Sequence, residues 1–322
     1  MRSVEELTAA MRAFQESRVL LSALELDAFT AVGEGATADQ AAARAGCDAR
    51  ALAMLLNALV ALGAMQKEGA LYRTTPVTAG WLCGPQSARL GLLHIAGLWR
   101  TWSTLTNAVR TGTAVRAPGV EKADEEWTRA FIAAMHQRAA RDAGALVEAV
   151  GRTGPCRLLD VGGGSGAYSI ALAQANPDLT AIVLDQPHVT GLARDYIAVA
   201  GLSARIATQD GDLRADHFGQ GFDVVLVSAI CHMLGEEENR DLLIRCGRAL
   251  KPGGRIVVRD FILDEDRTFP PQAVLFSLNM LVGTSGGASY TQAEYDAWLR
   301  AAGCGEVVRP KPQGDVLIGM MG

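Results

Sequence analysis

The chain has 322 residues, 49% hydrophobic and 20% charged, with 30 basic against 35 acidic residues for a formal net charge of −5. That length and balance fit a globular protein of two domains and exclude a disordered or fibrous chain. No Lys/Arg tract offers the footprint of a nucleic-acid or membrane-surface binder, no apolar run reaches membrane-spanning length, and the acid-bearing start Met1 to Glu6 is unlike a signal peptide, so a cytoplasmic protein is expected. The six cysteines (Cys47, Cys83, Cys156, Cys231, Cys246, Cys304) form no CxxC pair and are expected to be reduced. The five histidines (His94, His136, His188, His217, His232) are scattered, and no metal site is expected.

From Val4 to about Leu82 the pattern is Ala/Leu-rich and helical, cut at Gly33-Glu34-Gly35, Gly46 and Gly63. Thr37 to Gly46 followed by Ala49 to Leu62 predicts a helix-turn-helix pair, and Met65 to Thr75 a short hairpin about Glu68-Gly69, together a winged-helix outline. Between Thr37 and Thr75, four basic residues (Arg44, Arg50, Lys67, Arg73) face three acidic ones (Asp39, Asp48, Glu68). Phosphate contacts need clustered Lys/Arg, so this module suits protein packing better than DNA. Arg89 to Gly151 holds two further helical patterns separated by the breaker-rich Thr111 to Gly119. Trp99 and Trp102 on the first of them are candidates for a pocket wall.

Beyond Gly154-Pro155 short β-branched runs alternate with helical segments, the signature of a parallel sheet covered on both faces. Strands are predicted at Arg157 to Val161, Ala181 to Leu184, Ala204 to Thr208, Asp223 to Val227 and Arg255 to Asp260. Glu306 to Arg309 and Val316 to Met320, joined through Pro310 to Gly314, predict an antiparallel hairpin at one edge. The fold class is therefore α/β, a Rossmann-like sheet with an N-terminal all-α winged-helix domain. The division runs 1–88, 89–152 for connecting helices, and 153–322 for the sheet domain.

Leu158 to Ala167 ends an apolar strand and opens a helix through Gly162-Gly163-Gly164-Ser165-Gly166, where backbone approaches a ligand too closely for a Cβ. A dinucleotide fingerprint spaces its glycines Gly-x-Gly-x-x-Gly; here Gly162, Gly164 and Gly166 are evenly spaced, with Asp160 two residues ahead, which disfavours a nicotinamide oxidoreductase. A tight turn can also need glycines for packing alone. Two more acids close successive strands: Asp185, placed to accept both hydroxyls of a ribose, and Asp210-Gly211-Asp212. Helix capping is the alternative role for Asp185.

With these residues in view, the region resembles class I S-adenosylmethionine-dependent methyltransferases, and nearly the whole chain resembles the O-methyltransferases of caffeate, flavonoid and bacterial natural-product type. The resemblance implies that Asp160, Gly162, Gly164 and Gly166 wrap the methionine end of S-adenosyl-L-methionine, that Asp185 holds its ribose, and that Asp212 and Leu213 flank its adenine. It also implies that the N-terminal module makes a homodimer.

His232, in the segment Val227 to Asn239, leaves the fourth strand at the C-terminal mouth of the sheet, the edge where open α/β sheets bind ligands. A lone histidine can equally be structural. The segment resembles the family's Cys-His-Asp-Trp motif, whose histidine removes the proton from the accepting hydroxyl, although Met233 and Leu234 stand for Asp-Trp. Asp260 matches a family acid that orients this histidine, and Ser289 occupies the place of a second acid found in plant members. Met135 and Met280 match methionines that clamp an aromatic substrate, with core packing as the alternative.

A histidine near pKa 6.5 facing a phenol near 10 leaves roughly 5 kcal/mol for full proton transfer, against roughly 12 kcal/mol for a hydroxyl as weak as water. The expected reaction is O-methylation of a phenolic or enolic hydroxyl on a small aromatic or natural-product molecule. Other chemistry on the same fold and cofactor (C- or N-methylation, hydroxylation or decarboxylation) and a ligand-sensing DNA-binding regulator are the alternatives.

Overall fold

The computed structural model describes residues 3–84, 87–115, 125–151, 154–215, 217–311 and 314–322. Residues 116–119 of the breaker-rich stretch and 312–313 of the hairpin turn lie outside them. The chain divides into two compact units at Trp99/Arg100.

In the N-terminal unit the helices are α1 (Val4–Arg12), α2 (Phe14–Glu25), α3 (Ala28–Val32), α4 (Ala38–Ala45) and α5 (Ala49–Ala61). The strands β1 (Met65–Glu68) and β2 (Leu71–Thr74) follow, then α6 (Pro76–Leu82) and the start of α7 (Arg89–Trp102). The expected helix-turn-helix forms because each helix carries its own start signal. Thr37 and Gln40 make a reciprocal capping box on α4, and the Asp48 carboxylate accepts from the Ala51 N–H on α5. Gly46, at φ 65°, ends α4 in the left-handed conformation that glycine adopts without strain. The strands β1 and β2 pair antiparallel from Met65↔Thr74 to Glu68↔Leu71, as the sequence predicts. The core is apolar and includes Leu21, Phe29, Leu52, Leu56, Leu59, Met65 and Tyr72.

The second unit adds α8 (Leu105–Thr111) and the long α9 (Glu125–Val150) before the alternation begins. Then come β3 (Cys156–Val161), α10 (Ala167–Ala175), β4 (Leu179–Asp185), α11 (Pro187–Val199), β5 (Ile206–Asp210) and β6 (Phe222–Ser228). A one-turn 3₁₀ segment at Cys231–Met233 leads to α12 (Glu236–Ala249), β7 (Leu250–Arg259) and β8 (Ile262–Leu263). The remaining elements are α13 (Pro271–Gly283), β9 (Tyr290–Thr291), α14 (Gln292–Ala301), β10 (Cys304–Val308) and β11 (Val316–Met321).

Seven strands form one sheet in the order β10-β11-β7-β6-β3-β4-β5. It is parallel from β7 to β5, and β11 and β10 add the expected antiparallel edge. Because side chains alternate across a strand, the sheet's central strands feed two cores. Leu159, Val161, Val225, Val227, Ile256 and Val258 fill one, and Leu158, Val224, Leu226 and Val257 the other. Near-continuous apolar runs are what a sheet buried on both faces requires.

The fifth strand runs two residues later than Ala204 to Thr208, because the Arg205 and Ile206 N–H groups turn back onto the Leu202 carbonyl. At the sheet's edge only Ile206 is buried, so the polar Gln209 and Asp210 are tolerated in the strand. The short parallel pair β8–β9 has too few residues to show a period in sequence.

The helices α12 and α14 cross at Gly247, where an added Cβ would stand 2.2 Å from the Ala302 carbonyl oxygen. Gly247→Ala should therefore destabilise the protein by about 1–3 kcal/mol, read from chemical denaturation, since backbone and not a flexible side chain must move. Unchanged stability would mean the two helices separate freely.

Candidate active site

The C-terminal ends of β3, β4, β5, β6 and β7 carry Asp160 with the glycine turn, Asp185, Asp212 with Leu213, His232 and Asp260, while Met135 and Met280 lie on α9 and α13. After β3 the chain turns through Gly162, Gly164 and Gly166, all at positive φ (67°, 58° and 72°). Space is as restrictive as conformation: a Cβ on Gly162 would stand 2.3 Å from Ile230 Cδ1, and one on Gly163 would stand 2.7 Å from Asp160 Cγ. Gly163 was not singled out, although its place in the glycine triplet was the available signal. Leu213 approaches the same turn, its Cδ2 3.5 Å from the Cβ position of Gly162.

Asp160 is 1% exposed; its Oδ2 accepts from Ser169 Oγ at 2.7 Å, and its Oδ1 is buried with no hydrogen-bond partner among the described residues. Burial pushes its carboxyl up to about 7, with the nearby Asp185 raising it further and Ser169 opposing. Asp185 accepts the Gly164 N–H on Oδ2 and the Gln186 N–H on Oδ1, both at 2.8 Å. Burial raises its carboxyl too, and those two N–H groups pull it back. Each oxygen keeps a second lone pair, so Asp185 serves the loop while retaining acceptor capacity for hydroxyls. On the adjacent strand Asp210 lies opposite it in register. Asp210 accepts from Thr190 Oγ1, and Asp212 caps the following turn through the Arg214 N–H.

A second helix overlies the glycine turn. Ile132 of α9 approaches within 3.9 Å of the Gly164 Cβ position, and His136 Nδ1 lies 2.8 Å from Ser165 Oγ while its ring stacks on Tyr196 at 4.0 Å. Met135 is half-buried on this helix.

The turn after β6 carries the other half of the site. Ala229 takes φ 57°, and the chain then tightens into the 3₁₀ turn that holds His232. His232 Nδ1 lies 2.6 Å from Asp260 Oδ1, and the His232 backbone N–H donates to Asp260 Oδ2 at 3.2 Å. The side chains are 8% and 1% exposed. Asp260 Oδ1 also accepts the Phe261 N–H at 2.8 Å, and the Asp260 N–H donates to the Asp315 carbonyl at 2.9 Å. Arg259 beside it ion-pairs with both Asp142 of α9 and Asp315. The imidazole is thus fixed through Nδ1, and among the described residues Nε2 has no hydrogen-bond partner.

Ser289 does not substitute for an acid at the imidazole: fully buried, it donates to the Ala273 carbonyl at 2.9 Å. Its loop instead touches the histidine through backbone, because a Cβ on Gly287 would stand 2.2 Å from the His232 carbonyl oxygen. Met280 is buried on α13, one turn beyond Phe276, which meets the His232 ring edge-on at 4.8 Å. Phe261 stacks on Phe276 at 3.8 Å. Sequence reasoning missed both rings, though Phe276 shares the helix face of Met280 at i−4 and Phe261 directly follows Asp260. Trp102 Nε1 donates to Asn279 Oδ1 of α13 at 2.8 Å.

Among the described residues there is no group of three or more metal-ligating side chains, and no helix is long and apolar enough to cross a membrane. Among the described residues the six cysteines form no disulfide.

Two family models match the sequence, an O-methyltransferase domain over residues 102–305 and an O-methyltransferase dimerisation domain over residues 9–83. The chain is 37% identical over 309 residues to 3-hydroxy-5-methyl-1-naphthoate 3-O-methyltransferase of Streptomyces sahachiroi, covering 94% of this chain and 89% of that protein. It is 33% identical over 304 residues to the tetracenomycin polyketide synthesis 8-O-methyl transferase of Streptomyces glaucescens, covering 92% and 89%. Among solved structures, human N-acetylserotonin methyltransferase in complex with SAM matches with a TM-score of 0.85 at 25% identity, covering 100% of this chain and 98% of that one.

The buried Asp160 gives the site a measurable pH signature. Its folded-state pKa of about 7 lies above the ordinary carboxylate value, so the folded state holds the proton more tightly than the unfolded one. The associated stability is present in full below about pH 4 and is lost as pH rises through about 7. Thermal unfolding of the ligand-free protein and of Asp160→Asn should therefore show a gap that opens in favour of the variant between about pH 4 and pH 7, reaching a few kcal/mol, then levels off. A gap independent of pH would show that Asp160 is ionised throughout.

Proposed function

The chain belongs to the S-adenosylmethionine-dependent O-methyltransferase family, and from that premise we propose that it methylates a phenolic or enolic hydroxyl of a small aromatic natural product, with His232 as general base. The observation that carries this reading is the buried His232–Asp260 pair, closed by two hydrogen bonds and leaving Nε2 as the free acceptor.

The residues at the ends of β3, β4 and β5 fit S-adenosylmethionine. A cationic ligand suits a turn flanked by the carboxylates of Asp160 and Asp185, the first with a buried oxygen that has no hydrogen-bond partner among the described residues. The glycine turn supplies close backbone approach, Asp185 the acceptor for ribose hydroxyls, and Asp212 and Leu213 the flank assigned to the adenine. When bound, the cofactor supplies an electrophilic methyl group on a positively charged sulfur.

The chain's own contribution is deprotonation and alignment. With Asp260 accepting at Nδ1, the neutral ring presents its lone pair at Nε2 toward the hydroxyl. As the oxygen gains the methyl, its proton passes to Nε2, and Asp260 stabilises the imidazolium that results. The roughly 5 kcal/mol gap between histidine and a phenol is absorbed when proton transfer and methyl transfer are concerted. The apolar surround of Phe261, Phe276 and Met280 excludes water from this step. The naphthoate and polyketide substrates in the names of the two curated relatives support an aromatic acceptor.

We assign the homodimer to the N-terminal unit. Val4, Leu7, Met11 and Phe14 recur at helical spacing along α1 and into α2, and they are 73%, 43%, 68% and 53% exposed. A stripe of this kind is apolar surface awaiting a partner, here a second copy of the dimerisation domain.

Substituting His232→Ala should lower kcat by about 10² to 10⁴ while S-adenosylhomocysteine affinity, read by calorimetry, stays within about twofold. Asp260→Asn should lower kcat by about tenfold or more without weakening the cofactor. Parallel loss of turnover and cofactor affinity would remove His232 from the role of base. Introducing Asp at both Val4 and Met11 should shift the protein from dimer to monomer in sedimentation velocity; an unchanged dimer would place the interface elsewhere.

A further inference from the structure

Arg138, Phe261 and Phe276 form a group that the proton transfer leaves unexplained. The Arg138 guanidinium, from α9, stands 5.2 Å over the centroid of Phe261, the ring that stacks on Phe276. Arg138 is exposed, and among the described residues it has no carboxylate partner. The contrast with its neighbourhood is informative: Arg259 is held between two carboxylates, Asp142 and Asp315, and Asp142 lies one turn along the same helix from Arg138. Asp142 is thus engaged by Arg259, and among the described residues Arg138 has the Phe261 ring beside it and no hydrogen bond to its guanidinium.

The geometry sets a length. The His232 and Phe261 ring centroids are 6.0 Å apart, and the guanidinium is 5.2 Å from the latter, so base and cation lie within about 11 Å of each other. Between them is an apolar wall of two stacked rings. A guanidinium keeps its five N–H donors in its own plane, the arrangement that receives a carboxylate through two parallel hydrogen bonds. An uncharged aromatic acceptor would use the wall and leave the cation without a counterpart.

We propose that Arg138 is a specificity-determining residue and that the methyl acceptor is an aromatic hydroxy acid. Its ring lies against Phe261 and Phe276, its hydroxyl meets His232 Nε2, and its carboxylate is held by Arg138. The proposal rests on the function proposed above and narrows its substrate class. In open water such an ion pair contributes little, but an aromatic acceptor laid over the wall displaces water from it and strengthens the attraction.

The test offers the protein and S-adenosylmethionine a set of hydroxynaphthoic acids that differ in hydroxyl position, together with the methyl ester of each. For the best acid, kcat/KM should exceed that of its ester by about tenfold or more, and Arg138→Gln should reduce this preference by about tenfold, chiefly through KM. Arg138→Lys should restore part of it, because charge returns without the fork. Titration of the same acid into protein loaded with S-adenosylhomocysteine should show the same loss in Arg138→Gln, independently of turnover. Esters accepted as well as acids, or a preference untouched by Arg138→Gln, would overturn the role of Arg138 and leave phenol methylation standing. Failure of both acids and esters to bind or turn over would overturn the two readings together.

Discussion

The missing side chain of Gly162 is where two chemistries meet. The turn after β3 and the turn after β6 leave adjacent strands at the same edge of the sheet, and Ile230 fills the volume a Cβ on Gly162 would need. Ile230 stands two residues before His232. The glycine turn and the proposed base are therefore packed against each other through one methyl group, in a region of van der Waals contact where a displacement on one side is felt on the other. Leu213, from the turn after β5, touches the same point. Parallel strands make this convergence possible, because every strand of the set delivers its following loop to the same edge.

Around that contact the polar groups are organised by burial. Asp160 lies under the glycine turn, Asp185 ties the turn to the end of β4, and Asp260 ties the histidine turn to the end of β7. Each acid uses some of its oxygen lone pairs on the protein's own donors. What differs is the remainder: among the described residues Asp160 keeps a buried oxygen without a hydrogen-bond partner, whereas both oxygens of Asp260 are engaged, by His232 and Phe261. The first state suits a site that receives a cation, and the second suits a rigid support whose task is to hold a ring in place.

The sheet, its antiparallel edge, the helix-turn-helix with its hairpin and the acids at successive strand ends were legible because each is a local pattern. Runs such as Leu158 to Val161 and Val224 to Val227 can hardly be other than strands buried on both faces, and the caps at Thr37 and Asp48 are written in single residues. The lining of the site was not legible in the same way. Phe276 sits one turn from Met280, but nothing in the helix's period says that its ring faces His232 and not solvent. Arg138 and Phe261 are 123 positions apart, and Trp102 and Asn279 are farther still. Ser289, at the loop position of a second acid in plant members, donates to the Ala273 carbonyl, a backbone partner that no sequence pattern announces.

Asp260 is held from behind as well as in front. Its N–H is taken by the Asp315 carbonyl, and the Asp315 side chain shares Arg259 with Asp142 of α9. The last residue before β11 thus braces the strand end that carries the proposed orienting acid, and through Arg259 it also braces the helix that carries Met135 and Arg138. A surface connection between β10 and β11 would ordinarily be free to change in length and composition from one relative to the next. Here that freedom stops at Asp315: an insertion can enlarge the connection, but one that shifts its final residue would slacken the proposed base and α9 together, so drift in this loop is coupled to the proposed chemistry although Asp315 itself acts only through Asp260 and Arg259.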